Sequence, residues 1–305
     1  MPDMPLHPQA TLIFDMLAEI GGPAMEEMSA VDARAMYESR RVPATEHVHH
    51  MRDLDADGVN CRLYRPNDNT NLGLLLYFHG GGWVVGDLES HDAVCRSLCN
   101  KSGIAILAVD YRLAPEHKFP AAIEDAATVT RWAHANAASL GCNPERIAVG
   151  GDSAGGNLAA VIAQLQLVPL VFQLLIYPVT DARMATPSYE ENKDGPLLTR
   201  AGMEWFFDHY IGGVTNNVDP RVSPIMATDS VISGTPPALV ITAEFDPLRD
   251  EGEQYAARLS ANGVPTSLVR YYGMFHGFLS MADFLDDARA AHAHAASLMS
   301  SVLNR

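Results

Sequence analysis

The chain has 305 residues, 48% of them hydrophobic, with 37 acidic against 21 basic side chains and a formal charge of −16. That size and apolar fraction suit a soluble globular protein with a large core. The negative balance repels a phosphate backbone or an anionic membrane surface, which argues against nucleic acid as a partner.

The N-terminus, MPDMPLHPQATLIFDMLAEI, lacks a basic flank ahead of its apolar part and carries Asp15 and Glu19 within it, unlike a signal peptide. Residues 1–45 read as two amphipathic helices, with Leu12, Ile13, Met16, Leu17 and Ile20 at helical spacing. Strand signals follow near 47–52, 59–65, 72–78, 104–109, 146–150, 171–177, 238–243 and 266–272. The first two face each other across Asp55-Ala56-Asp57-Gly58, which fits an antiparallel hairpin at one sheet edge. Segments of helical period join the rest, near 90–101, 121–139, 154–167, 249–262 and 281–303. This alternation predicts an α/β protein with an eight-stranded, mostly parallel sheet and helices on both faces.

Residues 181–235 break that rhythm with a polar loop, a helix from about Thr199 to Ile211 and a proline-bearing return. An excursion of that length is expected to form a helical cap, together with residues 1–45, over a catalytic domain made of 46–180 and 236–305. The longest apolar stretch, Leu167 to Val179, contains Pro169, Gln173 and Pro178 and is too short to span a bilayer, so no membrane insertion is expected. Cys61, Cys95, Cys99 and Cys142 show neither CxxC nor zinc-ligand spacing and read as free thiols of a cytoplasmic protein.

Chemistry concentrates at four loops. Gly151-Asp152-Ser153-Ala154-Gly155 satisfies G-x-S-x-G between a strand and a small-residue helix, the turn that lifts a serine oxygen above a sheet. Phe78-His79-Gly80-Gly81-Gly82-Trp83 follows the strand Leu74 to Tyr77, and its glycines leave backbone N–H groups free to face an anionic oxygen. His79 itself reads as a structural hydrogen-bonding residue. A serine nucleophile needs a base oriented by an acid. Asp246 lies beyond the end of strand 238–243, although Asp246-Pro247 reads equally well as a helix N-cap followed by proline. Asp250 and Glu251 fall in the first helical turn, where their charge suits the helix dipole. His276 sits between glycines after the last strand, completing the chain order Ser, Asp, His. His47, His49 and His50 have no matching acidic cluster, and His292 and His294 do not share a helix face, so no metal is assigned. Neither phosphate-loop pattern occurs, and no cofactor is expected.

HGGGW, GDSAGG, the aspartate of DPLRDE and the histidine of HGF together resemble the bacterial hormone-sensitive-lipase-like carboxylesterases over roughly residues 45 to 285, as does YRLAPE at 111–116. The resemblance implies an α/β-hydrolase fold, a helical cap and short- to medium-chain acyl esters as small-molecule substrates. It implies Ser153 as nucleophile, His276 as general base and acid and Asp246 as its orienting partner. The N–H groups of Gly81, Gly82 and Ala154 would form the oxyanion hole. Trp83, Trp205, Phe206, Phe207 and Tyr210 are candidates to line the substrate pocket or to form cap core. Amide hydrolysis, lactone opening and acyl transfer would use the same residues. A non-catalytic receptor, like the plant gibberellin receptors that resemble this family without its catalytic histidine, is disfavoured by the presence of His276. The connection 164–170 is shorter and more apolar than the family pattern, and the alternating last strand offers an edge for a homodimer.

Overall fold

The computed structural model describes residues 5–212 and 218–304; positions 1–4 of the N-terminal segment, 213–217 of the insertion and 305 lie outside the described residues. In chain order the elements are α1 (Pro8–Ile20), α2 (Ala30–Ser39), β1 (His50–Asp55), β2 (Asn60–Arg65), β3 (Leu72–Phe78), α3 (Asp92–Ser102), β4 (Ala105–Val109), α4 (Ala121–Asn136), β5 (Cys142–Asp152) and α5 (Ala154–Leu165). They continue with β6 (Phe172–Ile176), α6 (Pro187–Glu191), α7 (Arg200–Ile211), α8 (Asp229–Ile232), β7 (Ala238–Phe245), α9 (Arg249–Ala261), β8 (Thr266–Phe275) and α10 (Asp286–Leu303).

The eight strands form one sheet in the order β1-β2-β4-β3-β5-β6-β7-β8. β1 and β2 pair antiparallel, β2 meets β4 antiparallel, and every later pairing is parallel. Parallel strands are covered on both faces, which is why β3, β4 and β6 are buried along their whole length. Side-chain alternation splits the core in two: Leu74, Leu76 and Phe78 of β3 pack with α4, α5 and the insertion, while Leu75 and Tyr77 pack with α1, α3 and α10.

The first strand lies nearer the hairpin turn than the spacing predicts. Its register is set by that turn, where Ala56 N–H donates to Val59 O at 2.8 Å and Gly58 N–H to Asp55 Oδ1 at 2.9 Å. Glu46 and His47 instead receive the Asn100 amide of α3, at 2.7 Å on the side chain and 2.8 Å on the carbonyl. The last helix begins at Asp286 rather than 281, because a 3₁₀ turn at Phe278–Met281 precedes it. The short 164–170 connection closes through a left-handed Gln166, while Gln164 Nε2 donates to Pro224 O and to the Tyr255 hydroxyl. Its Leu167 and Leu170 pack on the core. β8 forms one edge of the sheet, with Leu268 and Tyr272 exposed. All four cysteines are free and buried, and among the described residues no helix is long and apolar enough to cross a membrane.

Candidate active site

Ser153 occupies the single residue between β5 and α5, with φ 56° and ψ −118°. Such a backbone is costly for a residue with a side chain and persists only where its surroundings enforce it. The enforcement comes from close approach. A Cβ at Gly155 would stand 1.9 Å from the Phe78 carbonyl oxygen, and one at Gly151 2.3 Å from the same atom. The glycines of the motif therefore let the end of β3 press against the turn, bringing the H-G-G-G loop to Ser153.

At the far ends of β7 and β8 the chain supplies the partners. His276 follows β8 directly; its Nε2 lies 3.0 Å from Ser153 Oγ and its Nδ1 2.8 Å from Asp246 Oδ2. A carboxylate accepts, so Nδ1 carries the proton and Nε2 is left to accept the serine hydroxyl. Asp246 is fully buried, and its second oxygen accepts the Leu248 N–H at 2.8 Å. The N-cap reading of Asp246-Pro247 is not realised: α9 starts at Arg249 with Leu248 at its N-cap position, so Pro247 lies outside the helix, and Asp246 instead braces the preceding turn with one oxygen while the other meets the imidazole. Asp246 O also accepts from Arg249 N and from Asn192 Nδ2. The Tyr177 ring packs 4.7 Å from the His276 ring, and Ser153 and His276 are each only 8% exposed, so both side chains are recessed from solvent.

The glycine loop supplies donors. Gly81, Gly82 and Trp83 all have positive φ, at 114°, 57° and 60°. Val84 and Val85 both donate to Gly81 O, closing the loop on itself. Among the described residues, neither the Gly81 nor the Gly82 N–H donates to a protein acceptor. Ala154 opens α5, where first-turn N–H groups have no intrahelical partner.

A buried network fixes this loop from behind, and the sequence reading missed most of it. Asp152 Oδ1 accepts from the Tyr77 hydroxyl at 2.8 Å and from Gly80 N–H at 3.1 Å, while Oδ2 meets His91 Nε2 at 3.2 Å. Burial works against the Asp152 charge, but His91, Tyr77 and His79 outweigh it and hold the carboxyl below the usual range. Tyr111, the first residue of YRLAPE, donates to His79 O at 2.7 Å and stacks on the His79 ring. His79 Nδ1 must donate to Gly80 O at 2.7 Å; burial pushes this imidazole down to about 4, so it stays neutral. The position of Asp152 beside Ser153 in G-x-S-x-G was the available signal; nothing in the sequence marked His91. From the N-terminal segment, Arg34 of α2 donates to Val84 O at 2.8 Å and Ala114 O at 2.7 Å while gripping Glu116 with two more bonds.

The five aromatics divide by burial. Trp83 lies flat on Tyr210 with ring centres 4.2 Å apart, Phe207 packs beside it, and all three are inaccessible. Phe206 lies over the H-G-G-G loop, where a Cβ at Gly82 would fall 2.1 Å from its ring. Trp205 is partly buried, edge-on to Phe206, and donates to Met28 O at 3.2 Å, joining the insertion to the N-terminal segment. His49 meets Asp68 at the surface, and among the described residues no group of three or more His, Cys, Asp or Glu is placed to hold a metal ion.

The architecture and this constellation define an α/β-hydrolase with a serine at its elbow. A family model described as alpha/beta hydrolase fold matches residues 75–280, and the chain belongs to that family, in its hormone-sensitive-lipase-like branch. It is 46% identical to the carboxylic ester hydrolase LipN of Mycobacterium tuberculosis over 74% of this chain, a match spanning 62% of LipN's own length. It is 42% identical to an ethyl acetate hydrolase of Pseudomonas putida over 77% of this chain and 76% of that protein. A hyperthermophilic esterase of the archaeon Pyrobaculum calidifontis superposes with a TM-score of 0.91 at 41% identity, covering 98% of this chain and 99% of that one.

Proposed function

We infer that this carboxylic ester hydrolase works through an acyl-enzyme on Ser153. The observation that carries the reading is the unbroken hydrogen-bond line from Ser153 Oγ through His276 to Asp246, at 3.0 and 2.8 Å. Ser153 attacks the ester carbonyl as its proton passes to His276 Nε2, and Asp246 stabilises the imidazolium that results. Charge gathering on the carbonyl oxygen is met by the N–H groups of Gly81, Gly82 and Ala154, each such donor contributing about 2.7–4 kcal/mol at the transition state. The alcohol leaves with the proton from Nε2, and water, activated by the same imidazole, releases the acid. No step calls on a cofactor.

Substrate size follows from the walls. With Phe206 over Gly82 and Tyr177 beside His276, the recess favours small-molecule esters with short acyl groups, medium ones at the limit. Phe207 and Tyr210 of the insertion, with Trp83 of the glycine loop stacked on them, support that wall from behind rather than touching substrate. We read residues 1–45 and 181–235 as that cap, joined through Trp205 and Met28.

The test is a series of p-nitrophenyl esters of increasing chain length, assayed on the parent and on Ser153→Ala. A burst of one equivalent of phenol followed by slower turnover is expected from the parent, with turnover by the variant reduced by about 10⁴-fold or more. Equal turnover by both proteins would sink the assigned nucleophile. Amide, lactone and alcohol-acceptor substrates in the same assay separate the other acyl chemistries of this triad.

A further inference from the structure

The loop carrying His276 is held from its far side by a second histidine outside the active site. His292, in the middle of α10, is 2% exposed; its Nε2 lies 3.0 Å from the carbonyl oxygen of Leu279 and its Nδ1 2.9 Å from Ser97 Oγ of α3. Ser97 Oγ in turn accepts from Lys101 Nζ at 2.9 Å. Leu279 belongs to the 3₁₀ turn Phe278–Met281, which leaves the catalytic histidine after only Gly277. We propose that His292 is a positioning residue for the ester hydrolysis, fixing the distance between His276 and Ser153 by anchoring the Leu279 carbonyl.

Every proton in this line has a determined place. A carbonyl can only accept, so His292 Nε2 carries hydrogen. Burial pushes the imidazole down to about 4, so at neutral pH it is uncharged and Nδ1 is an acceptor. The Ser97 hydroxyl therefore donates to Nδ1, and its oxygen is free to receive the Lys101 ammonium. The line is saturated and directional, with one tautomer available to the ring.

The anchorage has an evident purpose in the local backbone. Gly277 stands at φ 83°, and Phe278 and Leu279 are buried under α10, so the turn swings His276 back toward Ser153 on a short lever. Two side chains of α10 hold this turn: Arg289 grips its exit at the Ala282 carbonyl, and His292 is the one that reaches its middle, three residues from His276. A cavity of about 140 Å³ adjoins the same groups, lined among others by Ser97, Lys101, Ser280 and His292, so the turn has room to shift if the anchor is lost. A displacement of about an ångström at a reacting group costs on the order of 10²-fold in rate.

The proposal rests on His276 acting as the base, and the experiment keeps the two apart. Steady-state kinetics on p-nitrophenyl acetate are measured for the parent, Ser153→Ala, His292→Ala, His292→Gln and His292→Asn, with His294→Ala as a neighbouring control. The Ala variant is expected to lose about tenfold to 10²-fold in kcat with KM within twofold, since positioning rather than binding is removed. Glutamine places an N–H₂ where Nε2 was and should recover most of that loss; asparagine is too short to reach Leu279 and should not. Parental kcat in His292→Ala, or a loss residing in KM alone, overturns the proposal. If the Ala variant is recovered unfolded, the pair Gln and Asn decides: equal kcat in the two overturns the anchor, and Gln well above Asn supports it. An active Ser153→Ala would instead remove the serine mechanism itself.

Discussion

A buried carboxyl group stands on either side of Ser153, Asp152 and Glu251, and the two have their pKa values moved in opposite directions. Asp152, behind the H-G-G-G loop, has its carboxyl held below the usual range because His91, Tyr77 and His79 overcome the cost of burial. Glu251, in α9 beside the strand end that leads into the insertion, accepts from the N–H groups of Thr180 at 2.7 Å and Asp181 at 3.2 Å. Burial there prevails over those two bonds, the charges of Asp181 and Asp246 push the same way, and its carboxyl is raised well above its ordinary value. What decides the charge of a buried acid is the donor set around it, not the depth of burial, since both are covered. Behind the H-G-G-G loop a full set of donors favours the carboxylate, whereas beside the insertion burial and neighbouring acids favour the protonated form.

Their linkage to pH consequently has opposite signs. For Asp152 the folded-state value lies below the unfolded one, so its contribution is complete above the ordinary aspartate value, about 3.9, and is lost as pH falls through the folded value. His79 and His292 add to this acid sensitivity, because both are buried neutral with folded values of about 4 and the unfolded chain takes up their protons first as pH drops below about 6.5. The largest predicted effect therefore belongs to Asp152→Ala. Leaving His91, Tyr77 and the Gly80 N–H without their acceptor should cost about 3–5 kcal/mol of stability in urea denaturation. With the loop released, kcat should fall by about 10²-fold. A variant with parental kcat would mean that Gly81 and Gly82 hold their orientation without the network.

A smaller break on the same side comes from Arg34→Ala. Arg34 is the link from α2 to Val84 and Ala114, immediately after the oxyanion loop and inside YRLAPE. Glu116 is drawn down to about 2 by its hydrogen bonds with Arg34, yet that carboxylate is largely exposed, so the carbonyl contacts matter more than the ion pair. The variant is expected to lose about 1–2 kcal/mol in the same denaturation. Its activity should fall by severalfold, and Arg34→Lys should restore little of either, because one ammonium cannot reach two carbonyls and a carboxylate together. Full rescue by lysine would reduce the clamp to a matter of charge.

The contrast also explains what could be read from the sequence. Ser153 and His276 announce themselves because a strained turn between a strand and a helix, and a glycine-flanked loop after the last strand, are local chain features. Eight strands and their order of appearance were legible for the same reason, since each carries its own apolar period. Boundaries slipped where hydrogen bonding rather than apolar period set them: β1 was displaced by the bonds of the hairpin turn, and α10 by the 3₁₀ turn that precedes it. His91 and Asp152 meet across 61 positions of chain, and Glu251 meets Thr180 across 71. No spacing rule reports such encounters. Glu251 reads as an ordinary first-turn acid supporting the helix dipole, and only its complete burial beside Asp181 and Asp246 reveals that its charged form is disfavoured.

That last point gives the mildest and most discriminating prediction. Because the folded-state value of Glu251 exceeds the unfolded one, its proton favours the folded chain; the contribution is complete below the ordinary glutamate value, about 4.3, and drains away as pH climbs through the raised value. Glutamine presents the same acceptor oxygen to Thr180 and Asp181 and cannot ionise. Glu251→Gln should therefore match the parent within about 1 kcal/mol at mildly acidic pH and gain on it steadily as pH rises, read as a diverging pair of melting temperatures. Activity should follow stability and not change at its own account, since Glu251 touches none of the reacting atoms. A variant that melts earlier than the parent at every pH would show that Glu251 is ionised after all, and the two sides of the site would then be built alike.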